Sequence, residues 1–381
     1  MATFVGIDLG TTNTSIATFD GRVVEVKKSI GGVIGQSETT PSAIFIDENQ
    51  QMYIGSAAYQ QIAYRPQDVA RAWKRTLGTG APIEFSAAAK SVTSEWCSSE
   101  LLKRVFGYLP PAVRQDLTTS VVITVPAAFG QVKNEATLQA ASEAGIPNAK
   151  LMPEPVAACL AVMHKDRSDK TFLVYDLGGG TFDASVASFK KGTGSIIAQG
   201  GIESSGGRDW DFEIVNKVII PWICDNYAID EDDLNNEKIK NVLAMKAEEA
   251  KIELASRYAQ DADEDLNVQI LMPVGDIKVD GKRLTDNDGQ EIGLNVPFKK
   301  SLMDELVASY IDSTIQACQQ VFTDNNVDPK TINYVVFIGG PTLFSPLRKK
   351  VCQELGIEEY PNEIDPMTAV AKGAAIYAES L

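Results

Sequence analysis

One decapeptide pattern occurs twice in the chain, and it constrains the fold more than any other feature. Phe4-Val-Gly-Ile-Asp8-Leu-Gly10-Thr11-Thr12-Asn13 is echoed by Phe172-Leu-Val-Tyr-Asp176-Leu-Gly178-Gly179-Gly180-Thr181. Each copy is an apolar run that ends in Asp-Leu-Gly and passes through small or hydroxyl residues. Each then enters a second β-rich run, Ser15 to Phe19 or Ala184 to Phe189. Asp and Gly between two such runs predict strand, tight turn, strand. The copies lie 168 residues apart in a chain of 381, too far for a stacked-repeat period. Two similar lobes, each presenting one hairpin of the same chemistry, are therefore expected.

The rest of the chain alternates in the same sense. Ser120 to Val125 and Tyr334 to Ile338 also read as strands, and helix-period stretches cover about 131–144, 154–164, 237–256, 301–322 and 367–380. In the third, Ile239, Val242, Leu243, Ala247, Ala250 and Leu254 share one face. This alternation predicts an α/β fold. The acidic stretch 230–236 reads as a solvated loop.

Composition removes several classes of chemistry. Acidic residues outnumber basic ones 51 to 35, a formal net charge of −16, which disfavours nucleic acid and anionic membrane as partners. His164 is the one histidine, so no two-histidine zinc site can be built. Five scattered cysteines without a C-x-x-C pair fit reduced thiols in a cytoplasmic protein rather than a disulfide framework. No run reaches membrane-spanning length.

Small residues after a strand let successive backbone N–H groups close around an anion. Thr11, Thr12, Asn13 and Thr181 add side-chain donors, while Asp8 and Asp176 end the strands beside the same place. Carboxylates next to a phosphate repel it unless a cation lies between, and Mg²⁺ favours such oxygen ligands. The paired loops thus suit a Mg²⁺-nucleotide clamped between two lobes. A single Asp-Leu-Gly would be an ordinary turn; two matched copies favour the anion site. The chain carries no G-x-x-x-x-G-K-[ST], no G-x-G-x-x-G and no G-x-S-x-G.

Asp8-Leu-Gly-Thr-Thr-Asn13, Asp176-Leu-Gly-Gly-Gly-Thr-Phe-Asp183, Ser205-Gly-Gly207 and Phe337-Ile-Gly-Gly340 resemble the phosphate and adenosine motifs of the actin-like ATPase superfamily. Val125-Pro-Ala-Ala-Phe129, Pro153-Glu-Pro155 and Ala247-Glu-Glu-Ala-Lys-Ile-Glu-Leu254 are similar to the nucleotide-binding domain of the heat shock protein 70 (DnaK-type) chaperones. The resemblance follows the family's order over essentially the whole chain. It implies duplicated ribonuclease H-like cores with a smaller subdomain on each: lobe I at 1–169 with its subdomain at about 37–112, lobe II at 170–381 with its subdomain at about 209–298. It implies slow hydrolysis of ATP to ADP, with Mg²⁺ and K⁺, at the base of the cleft.

Residue by residue, the resemblance makes Gly10, Thr11, Thr12 and Asn13 the first phosphate loop and Gly178, Gly179, Gly180 and Thr181 the second. Asp8 and Asp176 would orient the water shell of Mg²⁺. Thr181 and Asp183, two apart on one strand face, would address the γ-phosphate and the attacking water. Lys74 matches the lysine that reaches the γ-phosphate; the competing reading is a solvated surface lysine beside Arg75. Glu154 matches the glutamate near Mg²⁺ and also fits a helix first turn, where it would favour the dipole. Glu248 and Lys251 match the adenosine-contacting pair, an intrahelical ion pair being the alternative. Gly206-Gly207 and Gly339-Gly340 would let backbone approach the nucleotide, or be plain turns.

Several positions depart from the family pattern. Ala255 replaces a serine that faces adenine, Leu343 an arginine that stacks on it, and Met367 an aspartate near the nucleoside. Losing one hydrogen bond and one cation–π stack costs about 1–3 kcal/mol together. Asn134 and Leu138 stand where basic residues couple the domain to its linker and co-chaperone. The chain ends at Leu381 just after the last predicted helix, with no peptide-binding domain, which fits an excised domain or a short family member. The expected partners are a peptide-binding domain or client protein, a nucleotide-exchange factor and a J-domain co-chaperone. The rivals are a small-metabolite kinase of the same superfamily, a nucleotide-sensing module and a filament former.

Overall fold

Both decapeptide copies fold as strand–turn–strand, and each organises a sheet around itself. The structure, a computed structural model, describes residues 3–381 except 30–36, 117, 147, 165, 167, 204, 280 and 362–363. The strands of the first sheet are β1 (Phe4–Asp8), β2 (Asn13–Phe19), β3 (Val24–Val26), β4 (Val121–Val125) and β5 (Lys150–Pro153), in the order β5-β4-β1-β2-β3, with Thr40–Pro41 pairing β2. The second contains β6 (Lys170–Leu177), β7 (Phe182–Lys190), β8 (Thr193–Ile202) and β9 (Tyr334–Ile338), in the order β9-β6-β7-β8. The topologies correspond. β1 runs antiparallel to β2 and parallel to β4; β6 runs antiparallel to β7 and parallel to β9. Asp8 thus ends one central strand, and Asp176 lies one residue before the end of its equivalent.

The main helices are α1 (Gln131–Glu143), α2 (Glu154–Met163), α3 (Gly207–Ile214), α4 (Glu237–Gln260), α5 (Lys300–Asp324) and α6 (Ala369–Ala378). All of these but α3 fall within the expected stretches to a few residues, whereas the helices Ser94–Phe106 and Ser345–Leu355 lie outside them. The predicted apolar face of α4 is buried, each of its six residues being 5% exposed or less. The acidic loop expectation fails: Glu231–Leu234 forms a single helical turn that plants Leu234 in the core of the second lobe. One leucine outweighs the local charge because its burial removes apolar surface from water.

Three apolar clusters hold the frame. One fills the first lobe beneath β1 and β4, and a larger one fills the second between its sheet, α4 and α5. A third, built from α2, α6, β6 and β9, ties the two together. In it α6 lies close on β1 and α2 because its facing positions are glycine and alanine; a Cβ on Gly373 would stand 1.7 Å from the Ala157 carbonyl oxygen. All five cysteines are free, with Cys97, Cys159 and Cys318 buried. Among the described residues no helix is long and apolar enough to cross a membrane.

Candidate active site

The two turns that follow the Asp-Leu-Gly strands face each other. A Cβ on Gly179 would fall 2.5 Å from the Thr12 hydroxyl oxygen, so the second loop meets the first only because it lacks a side chain there. The first loop is pinned from behind. The Ser42 hydroxyl donates to the Gly10 carbonyl at 2.7 Å, and the Ser42 amide donates to the Thr12 carbonyl at 2.8 Å. The second closes with the Gly178 amide on the Thr181 carbonyl at 3.0 Å. Gly206-Gly207 docks on it: the amides of Gly207 and Arg208 donate to the carbonyls of Gly178 and Gly179 at 3.0 and 2.8 Å. These bonds occupy carbonyls and leave a rim of small residues at the cleft.

Between the loops lies a dense charge cluster. The short 3₁₀ turn Trp73–Thr76 is anchored by the Trp73 indole N–H on the Ser98 hydroxyl at 3.0 Å, and it delivers Lys74 inward. Lys74 is only 5% exposed and its Nζ lies 2.7 Å from Glu154 Oε1. The solvated-surface reading of Lys74 is therefore wrong. Glu154 opens α2, with Pro155 in the next position, so it serves the first helical turn and the ion pair at once.

Three more carboxylates share this space. Asp8 accepts from the Thr124 hydroxyl at 3.2 Å; Asp176 sits directly across the hairpin from Asp183. Burial and the Glu154 charge push Asp8 up to about 7, against the opposing pull of Lys74 and Thr124. Asp176 is raised by burial, then by Glu154, Asp183 and Asp8. Asp183, open to the cleft, is raised to about 6 by burial and Glu154. Four acids against one lysine form a site that is stabilised by an added cation. Among the described residues no three acidic groups converge closely enough to ligate a metal directly. One expectation shifts slightly: Thr181 lies in the turn, immediately before β7, and Asp183 alone is in the strand.

A model of the Hsp70 protein family matches residues 4–381. The chain belongs to the Hsp70 family. Chaperone protein DnaK of Deinococcus proteolyticus is 31% identical over 400 aligned residues, which cover 99% of this chain and 59% of that protein. The chain thus spans about three-fifths of the length of that relative. The paired sheets are those of the two-lobed actin-like ATPase fold of the Hsp70 nucleotide-binding domain.

In this Hsp70-family chain, the expected adenosine side is built from Gly206-Gly207, Gly339-Gly340 and α4. Gly339 takes φ 88° against the Leu177 carbonyl, and the Thr342 hydroxyl donates to the Gly339 carbonyl at 2.7 Å. Glu248 and Lys251 make no pair with each other, so the intrahelical alternative falls. Lys251 Nζ donates to Asp211 Oδ1 at 2.5 Å and to the Gly207 carbonyl at 2.8 Å. Burial holds Asp211 up at about 7, even with Lys251 beside it. Glu248 instead accepts from the Tyr59 hydroxyl at 2.6 Å, a bond across the cleft between the lobes. The Arg71 guanidinium donates to Asn241 Oδ1 at 3.4 Å, joining the same two regions, and the Arg75 guanidinium donates to the Gly180 carbonyl at 3.2 Å. Sequence reasoning missed Tyr59, Arg71, Arg75, Asp211 and Asn241. Asp211 had a weak signal, an acid four residues past Gly207 on the coming helix; Tyr59 had none.

The raised carboxyls set a pH dependence. Asp8 moves from its ordinary 3.8 to about 7, so between these values the native state keeps a proton that the unfolded chain has released. Stability of the nucleotide-free protein therefore falls as pH rises through that window. Asp8→Asn cannot ionise and escapes the loss. Its melting temperature, measured without nucleotide or Mg²⁺, is expected to exceed the parent's by a margin that is wider at pH 8 than at pH 5. An equal margin at both would overturn the effect.

Proposed function

We propose that the chain is an ATP-binding and ATP-hydrolysing nucleotide-binding domain of an Hsp70-type molecular chaperone, dividing at 169/170 into two lobes with subdomains at about 37–112 and 209–298. The observation that carries this is the pair of facing loops over the Lys74–Glu154 ion pair, ringed by Asp8, Asp176 and Asp183. The amides of 10–13 and 178–181, with the hydroxyls of Thr11, Thr12 and Thr181, would receive the phosphates. Asp8 and Asp176 would hold a hydrated Mg²⁺, a cation that favours carboxylate oxygens and keeps several of its waters. When bound, Mg²⁺ neutralises phosphate charge; K⁺ would add to that.

Glu154 and Asp183 orient the attacking water, and Thr181 positions the γ-phosphate. Lys74, a point charge on a flexible stem, follows charge as it develops on the phosphoryl oxygens. Glu248, Lys251, Gly206, Gly207, Gly339 and Gly340 form the nucleoside side. Closure of the lobes would be the output, transmitted to a peptide-binding element or client. J-domain and nucleotide-exchange partners would act on it with altered contacts at Asn134 and Leu138, in the cytoplasm.

Phosphate release from ATP, with and without Mg²⁺, tests the proposal. Slow release that requires Mg²⁺ and falls at least about tenfold in Thr181→Ala supports it. Unchanged release in the variant, or transfer of phosphate to a small metabolite, overturns it.

A further inference from the structure

We propose that the nucleobase slot of this site is aliphatic and does not read the base, so that GTP is accepted alongside ATP. The inference rests on the nucleotide-site reading above. Its location follows from a chain of close contacts. A Cβ on Gly206 would lie 2.4 Å from the Gly180 amide nitrogen, so this backbone is seated on the second loop. One residue on, a Cβ at Gly207 would stand 2.9 Å from Pro341 Cγ and 3.3 Å from Lys251 Nζ. A ligand with its phosphates on 178–181 therefore has its far end over Gly207, between the 3₁₀ turn Gly340–Leu343 and α4, which pack against each other.

Three polar side chains at that end are already engaged, and the Arg208 guanidinium lies over the Phe212 ring, 5.5 Å from its centre. Glu248 is held by Tyr59, and Lys251 by Asp211 and the Gly207 carbonyl. Thr342 is buried with its hydroxyl turned back on Gly339. Beside them, α4 and the 3₁₀ turn present apolar side chains. Ile252 follows Glu248 by one helical turn and is 58% exposed; Ala255 is three residues further along. Leu343 ends the 3₁₀ turn at 42% exposed, and the Met367 sulfur stands 3.3 Å from a Cβ placed on Gly340.

Aliphatic walls press on the faces of any purine, and discrimination between bases needs a donor or acceptor aimed at the edge. Ile252 and Leu343 are open to water, so a base held against them would keep its amino and keto groups hydrated. Neither adenine nor guanine then incurs a desolvation penalty that would select the other.

Calorimetric titration of the chain with Mg-ATP, Mg-GTP and Mg-tripolyphosphate, followed by phosphate release from both nucleotides, tests this. The expected dissociation constants for ATP and GTP agree within about threefold, and both nucleotides are hydrolysed. The double variant Ile252→Ala/Leu343→Ala, altered only at exposed positions, is expected to weaken ATP and GTP alike by about three- to tenfold and leave tripolyphosphate unchanged. A preference for ATP above about 100-fold with turnover intact shows that the base is read, and overturns this inference alone. Undiminished affinity of the double variant for both nucleotides overturns it too. Failure of every nucleotide to bind overturns the site and the slot together.

Discussion

Lys74→Ala is expected to slow ATP hydrolysis by about 100- to 1,000-fold while changing ATP affinity by less than about tenfold. The asymmetry follows from where the ammonium sits. In the nucleotide-free site it is bound to Glu154 at 2.7 Å, nearly closed off from water, with its Nζ 5.5 Å from the centre of the Phe129 ring. The ring face favours the cation without competing for its protons. On the proposed reading, ground-state phosphates would be met by two loops of backbone amides, so one side chain would add little to binding. On the same reading, charge that develops during transfer would be met by fixed dipoles and by this one mobile cation. Loss of an interaction made chiefly in the transition state lowers kcat and kcat/KM together, and single-turnover phosphate release with calorimetry on the same sample separates the two effects. Equal losses in affinity and rate would make Lys74 a binding residue. No loss in either would remove it from the site.

The same substitution takes away the one cation among the described residues that lowers all three of Asp8, Asp176 and Asp183. Without nucleotide, the variant leaves Glu154 and three partly buried acids unrelieved. Protonation of Asp8, Asp176 and Asp183 is then favoured further, and the stability loss between acidic and neutral pH steepens. The catalytic and structural consequences of Lys74 thus have one electrostatic origin.

The repeated hairpin was legible because two local rules coincide in it. An apolar run with β-branched residues makes the strand, and Asp-Leu-Gly ends it, so both turns could be read from the residues; the α/β class came from strand–helix alternation and the actin-like fold from the resemblance. The charge cluster was legible only through resemblance. Lys74 and Glu154 are 80 residues apart and meet because a 3₁₀ turn and the first turn of α2 are carried on different parts of the first lobe. Cross-cleft contacts were not legible at all. Tyr59 and Glu248 are 189 residues apart, and a tyrosine on a short helix carries no pattern that names a distant carboxylate. For Glu248 and Lys251 it was the competing reading that failed, for the opposite reason. A local spacing rule offered an ion pair, but Asp211 and Tyr59 supplied better-buried partners for each. Leu234 shows the same override, since a tertiary apolar contact beat an acidic local composition.

Gly373→Ala is expected to cost more than about 3 kcal/mol of stability, although alanine is the better helix former by up to ~1 kcal/mol. The position lies inside α6, where propensity alone predicts a gain. Packing predicts the reverse. The added Cβ would stand 1.7 Å from the Ala157 carbonyl oxygen, 2.5 Å from its carbon and 3.1 Å from its Cα, all backbone atoms of α2. No rotamer change relieves such a contact, so the helices must part. On its other side α6 rests on β1, where a Cβ at Gly6 would meet the Ala375 nitrogen at 2.2 Å, leaving little room to retreat. The displacement would also reach the site, because α2 begins at Glu154 and β1 ends at Asp8. Denaturant unfolding should therefore show a large loss, accompanied by slower ATP turnover in whatever remains folded. Gly130→Ala, where the added methyl meets no atom within 4 Å, is the matched control and should unfold like the parent. Equal stability of the Gly373 variant and this control would mean that α2 and α6 are not locked together. The shared cluster could not then be what holds Glu154 and Asp8 in register.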